Sequence, residues 1–311
     1  MPNNLLITGG AGFIGSHFVL RHCASFAEDK VVVLDKLTYA GNPDYLKSVE
    51  REIEFVKGDI ADTKLVEKIV KDHKIQSIVN FAAETHVDRS IEDPFPFLHT
   101  NVLGVQSLID VCRKNPGTRL LHISTDEVYG DLSDEDLPKK TTDPLRPSSP
   151  YAASKAAGDM LVLAAIRTYG IDAAISRCTN NFGPHQAAEK FIPTVIRTAS
   201  ADQPVPIYAE GKNKRDWLYV TDHTDAIEII LKADWSGDRI FNVSADDEKR
   251  NIDVAKMILK ILGKPETLLK SVKDRPGHDW RYALDSSGVR NLGWKPKVSF
   301  GEGVRKTVEW Y

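Results

Sequence analysis

The chain has 311 residues, and 44 acidic side chains against 41 basic ones leave a formal charge of −3. That balance excludes a surface built for nucleic acid, and no apolar run is long enough to span a bilayer. Hydrophobic residues make up 41% and charged residues 27%, the composition of a globular chain with core enough for one large or two modest domains.

Residues 5–8 form a short apolar run that ends in Gly9-Gly10-Ala11-Gly12-Phe13-Ile14-Gly15. Strand, glycine turn and helix in direct succession are the setting of a dinucleotide fingerprint, here with Gly9, Gly12 and Gly15 spaced G-x-x-G-x-x-G. Glycines let the main chain approach a pyrophosphate, and the helix N-terminus offers N–H donors and a positive dipole end. A second buried strand over 31–34 ends at Asp35, 20 residues after Gly15. An acid there accepts from the adenosine ribose hydroxyls and repels a 2′-phosphate, so NAD is expected over NADP; the alternative is a plain strand-end turn. Lys36, next in line, works against that preference.

The third strand is expected over 53–56. Asp59 after it either accepts from an adenine amine or caps the helix expected over 62–72. A fourth strand over 77–81 runs into Ala82-Ala83-Glu84-Thr85-His86, where small residues would let a cofactor pass close. Residues 94–114 read as one long helix and 120–124 as the fifth strand. This alternation predicts an α/β fold of Rossmann type, a doubly wound parallel sheet with ligands beyond its strand carboxyl ends. Asp35, Asp59, Ala82 and Thr125 all sit at such ends.

The fifth strand leads into Ser124-Thr125-Asp126-Glu127-Val128-Tyr129-Gly130, a polar loop follows over 131–148, and Ser149-Pro150-Tyr151 opens a helix to about 169. Tyr151 and Lys155 are four apart and share a helix face. An ammonium beside a phenol lowers the phenol's pKa and makes it a base for a sugar hydroxyl. Thr125 can bond the same hydroxyl. Asp126 and Glu127 add an acid/base pair that plain alcohol oxidation does not need. Each piece alone also fits a solvated helix or loop; their union with the glycine turn points to chemistry.

A sixth strand is expected over 173–177, and 179–184 reads as a loop. Beyond it the alternation becomes irregular. A helix opens near 189–193, short strands fall at 206–208 and 215–220, and Asp222 caps a helix to about 232. A strand over 240–243, a helix over 252–262, a polar turn over 274–279 and a closing helix from about 301 complete the chain. The expected domains are 1–177, with strands from about 214–244 returning to it, and a smaller C-terminal lobe over 178–311. Lys190, Arg215 and Arg275 are either partners for a second diphosphate or surface charges. Cys23, Cys112 and Cys178 lie far apart and match no metal spacing, so no metal site is expected; they fit reduced thiols in a cytoplasmic protein.

These motifs resemble the extended short-chain dehydrogenase/reductases, and among them the dTDP-glucose 4,6-dehydratases. The resemblance runs nearly end to end. It rests on the glycine turn, Asp35-Lys36-Leu37-Thr38-Tyr39-Ala40-Gly41-Asn42, Ala82 to Ser90, Ser124 to Gly130, Asn180-Asn181-Phe182-Gly183-Pro184, Arg215 to Val220 and Asp274 to His278. The Thr125-Asp126-Glu127 run is the most specific piece, because the epimerases and decarboxylases of the fold lack the Asp-Glu pair. The chain departs from the family pattern at His185-Gln186-Ala187-Ala188 and at Tyr208-Ala209-Glu210-Gly211, and its segment from Glu127 to Tyr151 is short.

The resemblance implies NAD-dependent dehydration of a nucleotide-diphosphate glucose, dTDP-glucose or alternatively UDP-glucose, to the 4-keto-6-deoxy sugar nucleotide. It implies that Tyr151, with Thr125 and Lys155, deprotonates the C4 hydroxyl, that Glu127 takes the C5 proton and that Asp126 protonates the departing C6 hydroxyl. Implied cofactor contacts are Phe13, Ile14, Asp35, Lys36, Leu37, Thr38, Asp59, Ile60, Phe81, Ala82, Ala83, Thr100, Tyr151, Lys155 and Asn181. Implied substrate contacts are Thr85, Thr125, Asn180, Lys190, Phe191, Pro206, Ile207, Tyr208, Arg215, Asn251, Asp274, Arg275, Pro276, Gly277 and His278. It also implies a homodimer through the helices over 94–114 and 151–169. A sugar-nucleotide 4-epimerase is the competing enzyme reading; it would need Tyr151 and Lys155 but not Asp126 or Glu127. A non-catalytic NAD-sensing protein is the competing reading from another class.

Overall fold

A computed structural model describes residues 3–274 and 277–311. The first half supplies six strands: β1 Leu5–Thr8, β2 Val31–Asp35, β3 Ile53–Lys57, β4 Ser77–Asn80, β5 Arg119–Thr125 and β6 Ala173–Cys178. The second half adds β7 Asn180–Phe182, β8 Val205–Ile207, β9 Lys214–Tyr219, β10 Ile240–Val243, β11 Glu248–Arg250 and β12 Leu269–Ser271. Seven strands form one parallel sheet in the order β10-β6-β5-β4-β1-β2-β3. The order reverses between β1 and β4, and this switch point opens a crevice beyond the strand carboxyl ends.

The central strands are apolar along their length because helices cover both faces; every residue of β1 and β2 is buried. On one face Phe18 and Val19 of helix Phe13–Ser25 pack with Ile227 and Ile230 of helix Val220–Lys232. On the other, Val66 and Ile69 of Thr63–Asp72 meet Leu108 of Val105–Lys114 and Val162 of Pro150–Tyr169. A third cluster, with Phe182, Ile192, Trp217, Ile258 and Phe300, is the core of the C-terminal lobe. Among the described residues no helix is long and apolar enough to cross a membrane.

Several elements differ from the sequence reading. The helix expected over 94–114 is three pieces: α-helix Phe95–Leu98, a π-helical segment His99–Gly104, and α-helix Val105–Lys114. The wider turn seats Gly104 on Ile60, where an added Cβ would lie 2.5 Å from Cδ1. The expected loop over 179–184 contains β7, which pairs with β9. Of the strands expected to return to the large sheet, β10 joins it beside β6, whereas β9 lies in a three-stranded sheet β11-β9-β7. Tyr219, not Asp222, holds the cap position of helix Val220–Lys232. The Asp222 carboxylate instead accepts from the N–H groups of Lys297 (3.0 Å) and Val298 (2.9 Å) and anchors the approach to the last helix.

Candidate active site

At the switch point the glycine turn is set by what lies against it. Gly9 has φ +69°, and a Cβ there would meet Ala82 N at 2.6 Å; a Cβ on Gly15 would meet the Gly9 carbonyl at 2.2 Å. Helix Phe13–Ser25 starts at Gly12 with no side-chain cap, so its first N–H groups are left for another acceptor. The cleft beyond is lined by Gly9, Gly12, Asp35, Lys36, Thr38, Asp59, Ile60, Phe81, Ala82, Ala83, Glu84 and Thr100. Asp35 is pinned toward the glycine turn, its carboxylate accepting from Ala11 N (2.9 Å) and Leu37 N (2.8 Å). Asp62 caps the following helix, so Asp59 is free for the cleft. Burial opposes the Asp59 charge, but Lys36 at 2.7 Å, the Ala61 N–H and His99 outweigh it and hold the carboxyl below its usual range. N–H donors at a glycine turn, two carboxylates beyond it and no room for a Cβ suit a dinucleotide. Phe13, Ile14, Gly15 and Leu37 do not line this cleft; Leu37 serves it through its bond to Asp35.

Thr125 closes β5, and a 3₁₀ turn Asp126–Tyr129 follows. The Thr125 hydroxyl donates to Asp126 Oδ1 at 3.1 Å and accepts from Glu127 N at 3.3 Å. Asp126 is 3% exposed, and its Oδ2 has no partner. Burial, then the Glu127 charge, raise its pKa well above the usual value, which favours the protonated form. Ser149 caps helix Pro150–Tyr169 by accepting from Ala152 N, with Pro150 in the first turn. This places Tyr151 and Lys155 on its buried side. Tyr151 packs edge-on against Phe97, its N–H donates to Ser90, and its hydroxyl lies toward the Thr125 side chain.

One electrostatic expectation is reversed. Lys155 does not pull the Tyr151 phenol down; burial, then the Glu127 charge, push it well above its ordinary value. The Lys155 ammonium is itself buried, which lowers it to about 8, and it donates to the Ile123 carbonyl at 2.7 Å. Burial of the phenol and the Glu127 charge outweigh the neighbouring ammonium.

The C-terminal lobe faces this cluster. Lys190 Nζ donates to the Thr85 carbonyl at 3.0 Å, so the lobe touches the loop after β4. Phe191 opens helix Phe191–Ser200 and stacks on Trp217. In β8, Ile207 is buried and Pro206 half-buried, while exposed Tyr208 lies edge-on to His278. His278 pairs with Asp274 at 2.7 Å, with Gly277 between them at φ +64°. Arg275 and Pro276 lie outside the described residues. The side-chain oxygens of Asn180 and Asn251 are buried without partners, ready acceptors for a ligand. Arg215 donates to the carbonyls of Lys214, Trp280 and Asp279 and lies over the Tyr282 ring. Asn181 reaches back to Cys178 and the Thr179 carbonyl, and its oxygen pairs with His223 at 2.9 Å.

Sequence reasoning missed residues that support this site. Asn101, in the π-helical segment, accepts from Glu84 N, donates to Glu84 O, and donates to Ser154. The Tyr282 and Ser148 hydroxyls both donate to the Asp279 carboxylate, whose main-chain carbonyl holds Arg215. Nothing in the sequence flags Asn101, since a π-turn has no residue pattern. Asp279 closes the polar turn expected over 274–279 but no role is read for it there, and Tyr282 lies three residues further on.

The reversed sheet, the cleft at its switch point and the Tyr/Lys pair beside β5 define an extended short-chain dehydrogenase/reductase of the sugar-nucleotide type. Residues 6–307 match the family model described as GDP-mannose 4,6 dehydratase, and the chain belongs to that family. The dTDP-glucose 4,6-dehydratase of Xanthomonas campestris pv. campestris is 46% identical over 98% of this chain and 92% of its own. A crystal structure of the dTDP-glucose 4,6-dehydratase of Streptomyces venezuelae with NAD bound has a TM-score of 0.93 at 42% identity, covering 99% of this chain and 96% of that one. A UDP-glucose 4-epimerase of Thermus thermophilus, in complex with NAD, has a TM-score of 0.90 at 31% identity, covering 99% and 98%. Shape barely separates these two neighbours; sequence identity does.

Proposed function

We propose that this chain catalyses the NAD-dependent dehydration of dTDP-glucose to the 4-keto-6-deoxy sugar nucleotide and water. The observation that carries the reading is the Asp126-Glu127 pair beside Tyr151 and Thr125, with the Asp126 pKa raised by burial and by Glu127. Gly9, Gly12, Phe13, Ile14 and Gly15 would hold the pyrophosphate, Asp35 to Thr38 the ribose, and Asp59 and Ile60 the adenine. Phe81 to Ala83, Thr100, Tyr151, Lys155 and Asn181 would hold the nicotinamide side. Lys36 is engaged by Asp59, which supports NAD over NADP. NAD, when bound, supplies a hydride acceptor that later returns the hydride, and brings positive charge into the pocket.

The chain's own groups divide the proton work. Tyr151 takes the C4 hydroxyl proton, with Thr125 aligning the oxygen. Oxidation at C4 acidifies the C5 hydrogen, and Glu127 accepts that proton. Asp126, in its protonated form, donates to the C6 oxygen so that it leaves as water. Thr85, Asn180, Lys190, Arg215, Asn251 and the turn from Asp274 to His278 would hold the sugar nucleotide. Exposed Phe95, Leu98, Leu103 and Met160, all on the helices named for pairing, support a homodimer. Three buried, unpaired cysteines support a cytoplasmic setting.

The test is turnover of the purified protein with dTDP-glucose and UDP-glucose in parallel, read as alkali-induced ketone absorbance. Ketone from dTDP-glucose is expected. Interconversion of gluco and galacto forms without ketone would make the chain an epimerase.

A further inference from the structure

The loop after β2 is fixed at both feet. Leu37 N donates to Asp35, with Leu37 at φ 55°, and Asn42 N donates to the Ala11 carbonyl at 2.9 Å. Gly41 N turns back to the Thr38 carbonyl. Only the tip, around Tyr39, projects beyond these anchors. Thr38, Ala40 and Gly41 line one wall of the dinucleotide cleft, and Ala82, Ala83 and Glu84 line the opposite one. Tyr39 crosses between them. The Arg89 guanidinium, on helix Val87–Glu92 beyond the opposite wall, stacks 3.9 Å from the Tyr39 ring centroid. The Tyr39 hydroxyl lies beside the Glu84 carboxylate, whose charge, after burial, pushes the phenol up to about 12. On the Glu84 side the main chain is fixed by both ends of the Asn101 amide.

We propose that Tyr39, Glu84 and Arg89 form a bridge across the cofactor cleft that sets how long the dinucleotide stays bound. This rests on the reading above that the cleft holds NAD. The far wall is rigid, because Asn101 clamps Glu84, and the near wall is rigid at its feet. The tip of the loop is the part able to move, since Tyr39 is held only by its stacking on Arg89 and its electrostatic contact with Glu84. A dinucleotide lying between these walls leaves only after both contacts break. In a redox-neutral cycle the cofactor need not leave between turnovers, so a closed bridge costs nothing in rate.

The experiment follows exchange of bound NAD in the holoenzyme. Protein loaded with NAD is mixed with excess deuterium-labelled NAD, desalted at intervals, and its cofactor analysed by mass spectrometry. Tyr39→Ala removes both contacts and is expected to speed exchange about tenfold or more. Tyr39→Phe keeps the ring over Arg89 and is expected to fall between it and wild type, and Glu84→Gln to lie close to Tyr39→Phe. Exposed Tyr39 leaves the fold little to lose, and thermal melting of each loaded variant checks that. Exchange at the wild-type rate in Tyr39→Ala would overturn the bridge while leaving the cofactor assignment standing. Wild-type protein that retains no NAD at all would overturn the cofactor reading, and the bridge with it.

Discussion

Asp126 and Glu127 are adjacent in sequence but sit in unlike surroundings, and that difference is what elimination needs. Asp126→Asn keeps the bond to Thr125 but cannot give up a carboxylic proton; Glu127→Gln cannot accept one. Both variants are expected to reduce bound NAD when given dTDP-glucose, seen at the NADH absorbance band. Each should release product about 10²–10⁴-fold more slowly. Full product formation by the double variant would remove the pair from the mechanism. The same burial has a stability cost. The folded pKa of Asp126 lies above its unfolded value, so between the two the native chain holds a proton that the unfolded chain has released. Stability therefore falls as pH rises through that window. Asp126→Asn escapes the penalty and is expected to be more stable at pH 7 by about 0.5–2 kcal/mol. The gain should fade below about pH 4, where the unfolded carboxyl is protonated too. Melting curves of both proteins across pH would reveal a flat difference if the argument is wrong. At this scale the sequence was generous, because the carboxylates and the Tyr/Lys spacing are visible as letters. The direction of the Tyr151 shift was not visible, since it depends on how deeply the phenol is buried and on the Glu127 charge.

At the scale of elements, the π-helical turn His99–Gly104 carries more than its length suggests. It points Asn101 inward, where one amide satisfies both main-chain groups of Glu84 and contacts Ser154 of the catalytic helix. Asn101→Ala leaves these groups buried without partners, and is expected to cost roughly 2–4 kcal/mol. It should also weaken NAD binding, because it frees one wall of the cleft; a melting temperature within a degree of wild type would contradict this. The helix before the π-turn exposes Phe95 at 74%, and the turn itself exposes Leu103 at 58%. Phe95→Asp with Leu103→Asp is expected to convert a dimer to a monomer in sedimentation velocity. Wild-type protein that sediments as a monomer would end the dimer proposal. The long helix was legible from its apolar spacing, but the inserted π-turn was not, because one extra residue per turn leaves no compositional trace. Most strands of the small sheets were equally hidden: β7, β11 and β12 have three residues each, too few for any period to show, whereas β8 was expected at 206–208 and lies at Val205–Ile207.

For the whole molecule, the seven-stranded sheet could be anticipated because a strand buried on both faces must be apolar throughout, and helices alternate with such runs. The place of β9 could not, since a run of five buried residues suits either sheet. The cofactor ties the parts together. Its expected contacts span the glycine turn, the ends of β2 to β5, the catalytic helix and Asn181 beyond β6. A ligand that binds only the folded chain stabilises it by mass action, about 2.7 kcal/mol at a hundredfold excess over Kd. Saturating NAD is expected to raise the melting temperature by several degrees, and equimolar NADP by much less, because Asp35 faces the ribose side and Lys36 is occupied by Asp59. Equal shifts with both nucleotides would sink the NAD preference.

The position of β10 has a consequence for how the protein is made. β6 is complete at Cys178, but its outer neighbour is Ile240–Val243, about 60 residues later, and β7, β8 and β9 are spelled out in between. At ribosomal speeds of about 5–20 residues per second, β6 waits several seconds with its outer edge bare. An apolar strand edge of that kind is a template for pairing with another chain. The nascent polypeptide is therefore most open to aggregation, and most in need of a chaperone, after its catalytic helix has been translated and before residue 243 emerges.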